Sequence, residues 1–159
     1  VSGIEITQGI VDQARERLAR FGYSVDLRVG RNSSIPFEDE YFDCILSCHC
    51  CYYCDDGETL VDNLAEYARV MKEDAYLVAS VADESSYIFE GATKLVDGSL
   101  VVRNDPYGIR NGYRLHGFSE AQEVEEYFSK YFKGFSFGHA NNDWFSIRER
   151  VFWVVCQKR

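Results

Sequence analysis

Proline is nearly absent: Pro36 and Pro106 are the only two in 159 residues. With 46% hydrophobic and 27% charged residues, that scarcity excludes a disordered linker and fits a globular chain. No segment reaches the roughly 18 consecutive apolar residues of a membrane helix, so no membrane partner is expected. Cations are few, with 17 Lys and Arg against 26 Asp and Glu and a net charge of -9. Nucleic acid is therefore excluded as the main partner, because phosphate-backbone binding needs clustered Lys and Arg; a small nucleotide remains compatible. Methionine occurs once, as Met71, so the reading frame is expected to begin upstream of Val1. No basic, apolar or cleavage region opens the sequence, so no secretory leader is expected. Five of the six cysteines fall between Cys44 and Cys54 and read as reduced thiols of a cytoplasmic protein.

What is present is enough chain for one domain, residues 1–159, with a sizeable core. Val1 to Ile6 reads as a strand. Thr7 caps a helix whose apolar positions are Ile10, Ala14, Leu18 and Phe21; Glu16 and Arg20 pair on its wet side, and Gly22 ends it. Ser24 to Val29 and Tyr41 to Cys48 read as further strands, the latter apolar enough to be covered by helices on both faces. An amphipathic helix over 58–72 carries Leu60, Leu64, Tyr67 and Met71, and Ala75 to Ala82 follows as a fourth strand. This alternation predicts an α/β fold with a mostly parallel, Rossmann-like sheet. Residues 83–118 break it and read as a cap: a short helix over 87–94, then hairpin turns at Asp97-Gly98 and Asn111-Gly112. Ser119-x-x-Gln122 opens a helix to about Tyr131. Two closing strands, 132–138 and 150–156, are joined by an irregular link through Trp144.

Two phrases carry the chemistry. Val1 to Thr7 (V-S-G-I-E-I-T) ends a strand in Glu5. Gly30 to Leu46 (G-R-N-S-S-I-P-F-E-D-E-Y-F-D-C-I-L) runs from a strand end through Ile35-Pro36-Phe37 into Phe42-Asp43 and the next strand. Taken together they resemble the class I S-adenosylmethionine-dependent methyltransferases, in the part that grips the cofactor's nucleoside. The resemblance covers most of the chain. It implies S-adenosylmethionine as cofactor and methyl transfer to oxygen, nitrogen or carbon of a small-molecule acceptor. A homodimer is compatible with it.

The resemblance implies roles residue by residue. Glu5 takes the ribose hydroxyls, a bidentate task suited to a carboxylate, and Ile6 lies against adenine. An acidic residue near a helix start also complements the helix dipole, the plainer reading of Glu5. Asn32, Ser33 and Ser34 meet the adenine edge, although Arg31 stands where the family usually has an acid. The plainer reading of that loop is a turn in which Pro36 sets direction and Phe37 plugs the core. In S-C-H-C-C-Y-Y-C, residues 47–54, Ser47, Cys48 and Tyr52 lie beside the methionine half of the cofactor, where an aromatic face attracts a sulfonium. His49 is the candidate proton acceptor, with a structural histidine as the alternative. Tyr53, Tyr107, Tyr113 and His116 are candidate acceptor contacts, or simply hold the cap down.

Other readings are weaker. Cys44 and Cys48 on one extended strand stand about 13 Å apart at roughly 3.3 Å per residue and cannot share a metal, so none is expected. A nicotinamide dehydrogenase shares the ribose carboxylate but not the phrase from Ile35 to Asp43. The family's E/D-x-G-x-G turn is missing, and so is the strand before it, which places roughly 40 to 60 residues upstream on the size of one strand-helix unit plus a helix. The missing turn and Arg31 leave an alternative: a methyltransferase-like module that no longer catalyses and binds a nucleoside or a protein. Lys72-Glu73-Asp74-Ala75 replaces a glycine-containing turn, which Asp tolerates.

Overall fold

A computed structural model describes all residues, 1–159. Its elements run β1 (Ser2–Glu5), α1 (Gln8–Arg20), β2 (Asp26–Val29), β3 (Phe42–Cys48), β4 (Tyr53–Cys54), α2 (Leu60–Val70) and β5 (Met71–Ala82). Then follow β6 (Thr93–Lys94), β7 (Leu100–Val101), β8 (Arg114–Leu115), α3 (Ala121–Phe128), β9 (Phe132–Trp144) and β10 (Ile147–Lys158).

Strands β1 and β2 pair in parallel, the arrangement expected of a strand–helix–strand unit. A second sheet has the order β3-β5-β10-β9; β3 and β5 are parallel, the rest antiparallel. No ladder joins β1 to β3. Helices α2 and α3 bury Leu64, Tyr67, Val124 and Phe128 against one face of this sheet, on Leu77, Ala79, Val154 and Cys156. On the other face Leu46 stays 68% exposed and Tyr76 50%. The run Cys44 to Leu46 is thus apolar on both faces, although only one is covered.

Helix boundaries follow local chemistry. Thr7 Oγ1 accepts from Ile10 N, and Gly22 takes the left-handed conformation that closes α1. The buried face of α1 centres on Val11, flanked by Ala14 and Leu18; Ile10 and Phe21, expected to pack, are exposed. α2 starts later than expected because Thr59 and Asp62 form a capping box. At the start of α3 the box is shifted: Glu123 accepts from both Ser119 N and Oγ, and Gln122 has no part in it. Asp74 takes φ 58°, the left-handed turn its side chain tolerates.

Residues 83–118 hold no helix beyond one 3-10 turn at Tyr87–Phe89. Both expected turns exist, and the strands between them join β4 in a small antiparallel sheet ordered β4-β8-β7-β6. This sheet stitches the segment onto the exit from β3, a pairing that no local pattern announces. The link through Trp144 is regular, not irregular: β9 and β10 pair as far as Trp144 and Ile147, and Phe145 and Ser146 both take positive φ in the turn. Such turns normally carry Asn-Gly or Asp-Gly, so the sequence gives no warning of it. The hairpin overshoots β5, whose last paired residue is Ala82 opposite Val151, and stands over the carboxyl rim of the sheet.

Gly117 is packed so closely that a Cβ would stand 2.9 Å from Glu84, Leu100 and Phe89. Gly117→Ala is expected to destabilise by about 1–3 kcal/mol, as overpacking does. Gly9→Ala in α1, with nothing within 4 Å, is expected to stabilise by about 0.4–1 kcal/mol. Urea unfolding of the two variants checks both signs.

Candidate functional site

The chain leaves β3 in a turn built by hydroxyls. Ser47 Oγ accepts from Cys51 N at 2.9 Å, and Ser80 Oγ, from β5, accepts from His49 N at 2.8 Å. Those bonds hold His49 at φ 51°, a conformation a non-glycine residue adopts only when its surroundings impose it. Asn63 of α2 donates to the carbonyls of Cys51 and Tyr53, at 2.9 and 2.8 Å. Asn32 donates to the carbonyls of Cys50 and Tyr53, at 2.8 and 3.1 Å.

The loop after β2 is brought to the same rim. Gly30 N donates to Glu5 O at 3.0 Å, and a Cβ at Gly30 would stand 2.6 Å from Pro36 Cδ, so only glycine lets the loop fold back here. Glu66 of α2 accepts from Ile35 N at 2.7 Å, while Arg69 donates to the carbonyls of Ile35 and Phe37 and to Asp39. Phe37 is buried and Arg28 lies 4.1 Å over its ring.

Glu5 and the Asn32 loop therefore share one crevice with the exit of β3. Glu5 is half-buried, and its carboxylate accepts no hydrogen bond from the chain. Burial pushes the Cys50 thiol up, and the nearby Glu5 charge adds to it. Ile6 is 46% exposed beside Glu5, and Ser33, Ser34 and Cys48 remain accessible. An unengaged carboxylate beside an exposed apolar residue fits the ribose and adenine of S-adenosylmethionine. For the amino-acid end of that cofactor, residues 1–159 hold no glycine-rich turn.

Two cofactor candidates are already engaged by the fold. The Asn32 amide donates both its protons to the β3 exit, and its oxygen accepts from Tyr67 Oη at 3.0 Å, so it builds the crevice and has nothing left for adenine. Ser47 is buried on the α2 side of β3, its hydroxyl 3.2 Å from Tyr67 Oη. Alternation along the strand turns Cys48 outward where Ser47 turns inward.

Next to the crevice lies a cavity of about 150 Å³. His49, Tyr52, Tyr53, Tyr87, Arg110 and Glu149 line it, with Ala82, Ile88 and Val151 as apolar wall. His49 spans two neighbours: Nδ1 is 3.5 Å from Tyr52 Oη and Nε2 is 3.8 Å from Glu149 Oε1. Glu149 is itself held by Asn142 Nδ2 at 3.0 Å. Burial raises the Tyr52 phenol well above its ordinary range, so it stays protonated.

Of the expected acceptor contacts only Tyr53 reaches this cavity. Tyr107 is 61% exposed at a loop tip. Tyr113 packs edge-on behind Tyr53, with ring centroids 5.9 Å apart. His116 is buried between Phe118 and Tyr127, and that burial lowers its pKa. Tyr52, expected on the cofactor, lies in the cavity wall instead. Arg110, Glu149, Glu66, Arg69 and Ser80 carried no local signal, because each acts across the sheet or from a loop distant in sequence.

The thiols divide by burial. Cys44 and Cys48 belong to exposed residues; Cys50 is raised by burial of its thiol, Cys51 and Cys156 are pushed up to about 12 and Cys54 to about 11. No group of three or more His, Cys, Asp or Glu residues converges as metal ligands would.

The site so described, at the carboxyl rim of a Rossmann-like sheet, defines a class: an α/β domain with a small cavity where such folds place their ligands. Comparison with known proteins makes this specific. Residues 1–79 match the family model described as a methyltransferase domain. No curated protein matches the chain. The PH0226 protein of Pyrococcus horikoshii superposes with TM-score 0.74 at 18% identity, over 100% of this chain and 71% of its own. A SAM-dependent methyltransferase from Methanosarcina mazei gives 0.74 at 22% identity, over 99% and 81%. The Burkholderia thailandensis 1,6-didemethyltoxoflavin-N1-methyltransferase, solved with 1,6-didemethyltoxoflavin and S-adenosylhomocysteine, gives 0.65 at 13% identity, over 99% and 60%. Residues 1–79 are thus a methyltransferase domain, the whole chain shares the fold of S-adenosylmethionine-dependent methyltransferases, and S-adenosylmethionine is the cofactor. No helix is long and apolar enough to cross a membrane.

The loop clamp has a pH signature. Arg69 beside Glu66 holds the glutamate's pKa below its ordinary value, with the Ile35 amide adding to this. A lowered folded pKa contributes stability that is complete above the unfolded value of about 4.3 and lost as pH falls through the folded one. Glu66→Gln is expected to cost about 1.5–3 kcal/mol at pH 7. It should also flatten the fall in stability below about pH 4.3. Urea midpoints measured from pH 7 to pH 3 test this; equal midpoints at pH 7 would remove the clamp.

Proposed function

We propose that this domain methylates a nucleophilic oxygen, nitrogen or carbon of a small molecule held in the cavity beside His49, with residues 83–118 acting as its cap. The observation that carries this is the adjacency of an unengaged carboxylate, Glu5, and a ring-sized cavity on opposite sides of one turn. S-adenosylmethionine, when bound, supplies an electrophilic methyl group. Glu5 accepts hydrogen bonds from the ribose diol, with Ile6 against adenine and Ser33 and Ser34 at its edge. Cys48, on the open side of β3, lies against the cofactor's methionine half. Tyr52 and Tyr53 shape the wall against which the acceptor aligns.

His49 takes the proton released by the acceptor. Its contacts at 3.5 and 3.8 Å are long for hydrogen bonds, which leaves the ring able to engage a ligand. Glu149 then faces the imidazolium and stabilises its charge. Alignment and exclusion of water carry most of the rate in such a transfer, so a base contributes without being obligatory. Small-molecule methyltransferases among the structural relatives support this class of acceptor.

Calorimetric titration of S-adenosylhomocysteine into the full natural chain tests the reading. Binding is expected, and Glu5→Gln should weaken it roughly ten- to hundredfold, the value of hydrogen bonds to a charge. The ligand should also slow alkylation of Cys48 while leaving Cys44, lower on the same strand, unchanged. Undiminished affinity in the variant would remove Glu5 from the ribose; absence of binding would favour a module that no longer catalyses.

A further inference from the structure

The cavity has a polarity that its position in the fold does not require. Arg110 lines it together with the His49–Glu149 pair. Arg110 comes from the loop between β7 and β8, which is wound around the carboxylate of Asp105. That side chain is fully buried and accepts from the backbone amides of Tyr107, Ile109 and Arg110, at 3.2, 3.0 and 2.9 Å. Asn111 Oδ1 accepts in return from Asp105 N. The loop is thereby fixed without help from its own arginine side chain.

Arg110 is left with more donors than acceptors: the Tyr53 hydroxyl is its one hydrogen-bonding neighbour. The guanidinium's nearest approach to Asp105 is 3.9 Å, beyond hydrogen-bond distance, and that carboxylate already serves three amides. Tyr53 and Tyr87 lie close enough to interact with its charge. Arg69 makes the contrast. Its side chain is also 35% exposed, yet it donates to Glu66, Asp39 and two carbonyls. A guanidinium that is two-thirds buried and offers five N–H groups to a cavity is costly unless an acceptor arrives. In a chain of net charge -9, a cation in the cavity wall whose fork is only partly engaged would draw an anion in.

We propose that the acceptor is a ring-sized carboxylate, bound through its anionic group to Arg110, which makes Arg110 the specificity-determining residue of the acceptor site. A planar carboxylate matches the guanidinium fork in a way that a neutral amide does not. The volume, about 150 Å³, equals that of cavities that hold a benzene ring. With the carboxylate at Arg110, the rest of the ring reaches toward His49 and Glu149. This inference rests on the reading of the cavity as the acceptor site.

The test uses benzoate, hydroxybenzoates and aminobenzoates, the matching benzamides, and phenyl phosphate, each titrated into the full natural chain with S-adenosylhomocysteine present. At least one carboxylate is expected to bind ten times more tightly than its amide or more. Arg110→Gln should abolish that preference, while Arg110→Lys keeps part of it. S-adenosylhomocysteine binding, retained in both variants, shows that they fold. No preference for any carboxylate in the parent, a phosphate preferred over all of them, or a preference surviving in Arg110→Gln would each overturn the proposal. Loss of S-adenosylhomocysteine binding by the parent would instead count against the methyltransferase reading itself.

Discussion

The site depends on how the chain leaves β3. A strand that ends at a ligand rim must turn without leaving its amides unpaired, and here four segments supply the partners. Ser47 accepts from Cys51, Ser80 accepts from His49, and Asn32 and Asn63 donate to the carbonyls of residues 50, 51 and 53. Because these bonds come from β3, β5, the loop after β2 and α2, the turn is fixed only once the sheet and α2 are packed. In return it fixes the residues on either side of it. Asn32 draws the nucleoside loop toward Glu5, and the left-handed His49 directs the following tyrosines into the cavity wall.

The fold around that turn separates two tasks. The β1–β2 pair with its loop forms the side proposed for the nucleoside, held by the Glu66–Arg69 clamp of α2. The four-stranded sheet and residues 83–118 form the side proposed for the acceptor. The long β9–β10 hairpin reaches past β5 and brings Glu149 over the rim, where it meets His49. The small sheet β4-β8-β7-β6 seals the other flank and carries the loop that presents Arg110. Electrostatics follow the same division, with an unpaired carboxylate on one side of the turn and a partly engaged guanidinium on the other.

Much of the architecture was legible. The Thr7 cap, the Glu16–Arg20 pair at 2.7 Å and the Gly22 stop are local effects, as is the tolerance of Asp74 for a left-handed turn. Errors came where longer contacts overrode local pattern. Ile10 and Phe21 match a helical stripe but face solvent, because α1 packs through Val11. Tyr107 and Tyr113 are aromatic and near in sequence, yet the loop that carries them points Arg110 inward instead. His116, just past β8, donates its backbone N–H to Tyr52 O and sinks between Phe118 and Tyr127. Asn32 and Ser47 had the right chemistry for a cofactor, but structural bonds already use it.

Sequence alone determined the order of the main strands and helices outside residues 83–118, since periodicity and caps act over a few residues. It also marked two segments that the structure brings to one rim, Glu5 at a strand end and the Gly30 to Asp43 phrase. Tertiary structure decided which side chains remain free to act. Glu5 stays unengaged and Arg110 only partly engaged, whereas Asn32, Ser47 and Arg69 spend their hydrogen bonds on the scaffold. Whether a polar group binds a ligand or the protein depends on whether a partner from a distant segment reaches it first, and only packing sets that.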